Sequence, residues 1–130
     1  MSEVVAICCA DLHLSHTAPV ARSGEDWYKV QAGYLRQLRK LAERQESSIP
    51  IICAGDLFDK WNPPVELVNF AIKNMPAMYA IPGNHDLPNH QIKDVHRSAY
   101  WTLVEARKIT NIQPGEPIEV NQLILHGFPT

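Results

Sequence analysis

The chain has 130 residues, of which 45% are hydrophobic and 20% charged, and its formal net charge is -2. That mix fits one globular domain with a single core; it excludes an intrinsically disordered chain and a broadly basic nucleic-acid surface. No apolar run approaches the ~20 residues of a membrane span, and no secretory leader stands at the N-terminus, so the cytoplasm is the expected location. Cys8, Cys9 and Cys53 lie in apolar runs without a disulfide spacing. They are expected to be small buried core residues in a reducing compartment.

Taken in order, Val4 to Ala10 is a β-branched, apolar run and predicts a strand buried on both faces, ending at Asp11. Leu12 to Gly24 reads as a loop. From Asp26 to about Gln45, Val30, Tyr34, Leu38 and Leu41 recur at helical spacing, and Ser47-Ser48 ends the helix. Ile49 to Ala54 is the next strand, closed by Gly55-Asp56. Asn62-Pro63-Pro64 reads as a cap followed by prolines in a first helical turn, with Val65, Val68, Phe70, Ala71 and Ile72 on the buried side. Met78 to Ile81 is a third strand, Ile92 to Ala106 a mostly helical stretch, and Ile118–Val120 with Leu123–Leu125 a hairpin around Asn121-Gln122. The alternation of strands and helices predicts an α/β layered fold over residues 1–130, with mostly parallel central strands flanked by helices.

Polar residues gather at the ends of these strands: Asp11-Leu12-His13, Gly55-Asp56-Leu57-Phe58-Asp59, Gly83-Asn84-His85-Asp86 and His126-Gly127. Ligands of open α/β sheets bind outside the carboxyl ends of the strands. Carboxylates, a carboxamide and imidazoles without a cysteine suit divalent manganese, iron or zinc rather than a cysteine-rich structural site. Asp11 and His13 alternate around Leu12, so an extended segment would turn both to one side. Asp56 has two oxygens with which to bridge two ions, and Asn84 offers a neutral carbonyl oxygen. Taken one by one, each of these also has a plain reading as turn chemistry. His16, His90 and His96 match no ligand position and are expected at the solvated surface. Trp61, Tyr100 and Trp101 are expected to pack in the core or loops.

Asp-x-His, Gly-Asp-x-x-Asp and Gly-Asn-His-Asp, each after a strand and in this order, resemble the signature of calcineurin-like metallophosphoesterases. The motifs Asp-Leu-His-Leu, Gly-Asp-Leu-Phe-Asp and Gly-Asn-His-Asp look most like the DNA-repair exonuclease branch, the nuclease subunit of double-strand-break processing complexes. The resemblance implies a metallophosphoesterase fold, incomplete at the C-terminus, and two divalent metal ions, manganese first among them. Asp11, His13 and Asp56 would hold one ion, and Asp56, Asn84 and His126 the other. His85 would be a general acid and Asp59 would orient its ring. The implied reaction is hydrolysis of a phosphate ester, with DNA or a nucleotide as candidate substrates, by hydroxide bridging the two ions. The family also expects a later Gly-His-x-His, which this sequence lacks; a missing C-terminal segment or a protein partner would then complete the site. Competing readings are a phosphomonoesterase and a truncated, non-catalytic interaction module.

Overall fold

The computed structural model describes residues 3–43 and 49–128. Its centre is a four-stranded sheet in the order β1 (Ile7–Cys9), β2 (Ile51–Cys53), β3 (Met78–Ala80), β4 (Ile109–Asn111), with every neighbouring pair parallel. Parallel neighbours require crossover connections, supplied here by α1 (Trp27–Glu43), α2 (Val65–Asn74) and α3 (Ala99–Glu105). All four strands therefore end at one rim, where the motifs of Asp11, Asp56 and Asn84 follow the first three; His126-Gly127, expected on the same rim, follows a separate hairpin instead. β5 (Ile118–Val120) and β6 (Leu123–Leu125) form the expected antiparallel hairpin outside this sheet. The α/β layered architecture is the one expected from the order of the elements.

Several local expectations are corrected. The first strand covers three residues and forms an edge of the sheet, with Val4 and Val5 exposed before it, so it is not buried on both faces. Cys8 is exposed and Cys9 half-buried; Cys53 alone joins the core fully. α1 buries Gln31, Leu35 and Ala42, whereas Tyr34 and Leu41 face outward. The shift has a cause in Gln31, whose Oε1 accepts from the Ser15 N–H at 2.8 Å and whose Nε2 donates to the Ser15 carbonyl at 2.9 Å. Both halves of the amide are satisfied, which removes the penalty for burying it. The expected end of this helix, from Arg44 to Ser48, lies outside the described residues.

α2 begins at Val65 behind Pro64, and Asn62 does not cap it. Val65 is 74% exposed, while Leu67 and Ala71 are the fully buried positions. The stretch from Ile92 to Ala106 is mostly helical, as expected, but in two pieces, a 3-10 segment (Ile92–Arg97) and α3, with extended backbone at Ser98 between them. The Ser98 hydroxyl accepts from the Trp101 N–H at 3.2 Å, and the Ala99 N–H donates to the Trp61 carbonyl at 2.8 Å. Those two contacts start a new helix in place of continuing the old one. β4, which no apolar period announced, pairs with β3 along its whole length. Its Ile109 is buried with Leu103, Tyr100 and Met78.

Candidate active site

The first motif leaves β1 alongside the second. The Asp11, His13 and Leu14 N–H groups donate to the carbonyls of Gly55, Asp56 and Leu57 at 3.0, 3.0 and 2.8 Å, and the Asp59 N–H returns to Leu14 at 3.0 Å. This ladder does not keep the segment extended as expected. Asp11, His13 and Asp56 all have φ near +50°, at 56°, 47° and 55°. Asp and His tolerate this left-handed region better than most residues, at about 1–3 kcal/mol each, and such residues concentrate at functional sites. The kinks turn the side chains toward one another.

Asp56 is the focus. Its Oδ2 lies 3.2 Å from His85 Nδ1 and 3.7 Å from His13 Nε2, and its Oδ1 accepts from the His85 N–H at 2.9 Å. His13 Nε2 also lies 3.8 Å from Asp11 Oδ1, and the His13 and His85 rings are 5.0 Å apart between centroids. Burial pushes the Asp56 carboxyl up, but the His85 N–H, the His85 ring and His13 outweigh it and hold the group below the ordinary carboxylate range. The carboxylate is therefore ionised at neutral pH and available to a cation.

Two glycines make the close approach possible. Gly55 has φ of 109°, and a Cβ built there would meet Gly83 Cα at 2.9 Å. A Cβ on Gly83 would overlap the Asp56 carboxylate itself. Only a residue without a side chain lets the third motif lie against the second.

Asp86, which the third motif contains but to which no role was given, is completely buried. Its Oδ2 accepts from the Gly83 N–H at 2.9 Å and the Leu57 N–H at 3.2 Å, and its Oδ1 from the Phe58 N–H at 3.2 Å. Burial pushes this carboxyl up, against the three N–H donors. One side chain thus pins the second and third motifs together. The available signal was an acid followed directly by apolar Leu87 in a motif whose other polar residues face outward.

Among the expected site residues, His13, Asp56 and His85 are brought together, with ligand atoms all within 4.8 Å of one another. Asp11 stands beside them. Asn84 is exposed at the start of a 3-10 turn, with its backbone carbonyl held by His90 Nδ1 at 3.2 Å. His126 is exposed just beyond β6 and precedes Gly127, which packs on the Ile112 carbonyl past the end of β4. No hydrogen bond joins Asp59 to His85; Asp59 Oδ1 is buried without a partner, and His85 Nδ1 turns to Asp56 instead. His16 bonds Tyr28 Oη through Nδ1 at 2.7 Å, and Tyr100 is fully buried, as a packing role requires.

The donor set fits a divalent cation. An ionised, half-buried carboxylate stands between two imidazoles, and a second carboxylate lies within reach, the combination favoured by manganese, iron and zinc. The calcineurin-like phosphoesterase family model matches residues 5–129, and the chain belongs to that family, whose members hydrolyse phosphate esters with bound metal ions. No curated protein matches the chain. No helix among the described residues is long and apolar enough to cross a membrane.

Proposed function

We propose that this protein is a cytoplasmic phosphodiesterase acting on nucleic acid, a nuclease of the DNA-repair exonuclease kind, and that it works with two manganese ions. The observation that carries the reading is Asp56, an ionised carboxylate set between His13 and His85 at the rim. In this proposal Asp11, His13 and Asp56 hold one cation, and Asp56, Asn84 and His126 the other. When bound, such a pair neutralises the phosphate oxygens and lowers the pKa of a water toward neutrality.

The chain's own residues supply the rest. The left-handed turns at Asp11, His13 and Asp56 fix the ligand directions before any ion arrives. His85 has Nδ1 against Asp56, which leaves Nε2 as the atom to hand a proton to the leaving oxygen. Asp59 is assigned to orient the His85 ring by taking over Nδ1 from Asp56, which leaves Nε2 for the proton; its buried Oδ1 without a partner supports a carboxylate kept for such a contact. The motif sequence Gly-Asp-Leu-Phe-Asp supports a diester substrate over a phosphoprotein, because phosphoprotein phosphatases of this family usually carry Arg-Gly after the second aspartate where Lys60-Trp61 stands here.

The test is hydrolysis of bis-p-nitrophenyl phosphate and of single- and double-stranded DNA with manganese. The reading predicts turnover of the diester and of DNA, abolished by chelator. Turnover of p-nitrophenyl phosphate alone would make the protein a monoesterase and overturn the proposal.

A further inference from the structure

One strand over from Asp56, the ends of β3 and β4 open into a cavity of about 300 Å³. Pro82 forms part of its wall and directly precedes Gly83, whose α-carbon lies against the Asp56 turn. The cavity and the proposed phosphate site are therefore neighbours along one rim. Its lining is mainly apolar, with Ile81, Ile92, Val95 and Ile112 among its residues. Val95 and Ile112 are buried and give it a fixed floor, while Ile92 is 54% exposed.

The polar features of the lining are selective. Trp101 lies in the wall with His96 stacked edge-on against it, ring centroids 4.2 Å apart. Asn111 and Gln113 present a carboxamide edge. Asn111 Oδ1 accepts from Tyr100 Oη at 2.6 Å, and its Nδ2 donates to Gln113 Oε1 at 3.4 Å. This chain of bonds orients both amides and leaves the Gln113 amide N–H groups to donate. Lys93 adds a positive charge. Small-molecule sites run from about 300 to 1,000 Å³ and combine apolar walls with a few directed polar groups, so this one suits a single flat ring system.

We propose that the cavity seats a nucleobase of the phosphoester substrate, stacked on Trp101 and read along its edge by Asn111 and Gln113. A lipid tail would need no amide edge, and a charged sugar would gain nothing from the apolar floor. Asn and Gln amides match base edges, and base stacking on an aromatic ring contributes about 1–3 kcal/mol. The proposal deepens the phosphodiesterase reading and rests on it for the position of the phosphate, whereas base binding itself requires no metal.

Adenosine, titrated into the metal-free full chain, tests it through the indole N–H resonances. Trp101 is expected to shift saturably, while Trp27, in α1 at the other end of the sheet, stays still. Ile92→Glu, at an exposed position that does not endanger the core, puts a charge into the apolar wall and is expected to weaken adenosine by about tenfold. Gln113→Ala provides a second exposed variant and is expected to weaken it about fivefold. No saturable shift at Trp101 at millimolar adenosine, or equal shifts at both tryptophans, would overturn the proposal. Failure of the phosphodiesterase reading shows separately, as absent diester turnover with the Trp101 shift intact.

Discussion

His85 Nδ1 lies 3.2 Å from Asp56 Oδ2 while its own N–H donates to Asp56 Oδ1 at 2.9 Å, so both carboxylate oxygens face one residue of the neighbouring turn. A cation that takes Asp56 therefore acts directly on the surroundings of His85. The account gives the two residues different tasks, and mutation separates them. His85→Asn is expected to leave manganese affinity within about threefold and to lower diester turnover by about 10²–10⁴, the range for a lost general acid. Calorimetric titration with manganese beside steady-state kinetics measures both. A large loss of affinity would instead make His85 a ligand.

Asp56→Asn keeps the shape and removes the charge. Loss of an outer-shell partner typically lowers metal affinity by about 10–100-fold, and loss of a shared ligand should do no less. We expect at least a 100-fold weakening of manganese, read by the same calorimetry, with the far-ultraviolet dichroism unchanged.

Gly83→Ala places a methyl group where the Asp56 carboxylate stands. Overpacking commonly costs about 1–3 kcal/mol. Urea unfolding should show a loss in this range, together with weakened manganese binding, because the third motif must move away from the second. A neutral result would show that the two turns are less closely packed.

Asp86→Asn tests the buried carboxylate that holds the N–H groups of Gly83, Leu57 and Phe58. The amide retains one acceptor oxygen and turns an N–H2 toward donors. Hydrogen bonds to charged groups contribute about 1.5–3 kcal/mol, so a destabilisation of about 3 kcal/mol is expected from chemical denaturation.

Asp59→Asn should act in the opposite direction on stability. Asp59 Oδ1 is buried without a partner, a cost that a site bears for function and a fold does not need. We expect stability to rise by about 1 kcal/mol in thermal unfolding and diester turnover to fall by about tenfold.

Much of the site was legible because its residues follow apolar strands directly. Asp11, Asp56 and His85 are polar groups at the first positions where a parallel strand can turn, and Gly55 and Gly83 announce the close approach. What was not legible depends on distant partners. The break at Ser98 needs the Trp61 carbonyl, which no local pattern supplies. Gln31 looks like a surface residue until Ser15 satisfies both ends of its amide. β4 has three residues, Ile-Thr-Asn, too few to show a period, and exists because β3 offers a free edge. The positive φ values at Asp11 and His13 arise from their bonds to the second motif, so the extended segment read from the alternation does not form.

The most direct measurement is anomalous scattering from a crystal of the protein grown with manganese. The account predicts two peaks about 3.5–4 Å apart with the Asp56 carboxylate bonded to both. A single ion bound elsewhere, or two ions that leave Asp56 uncoordinated, would contradict it.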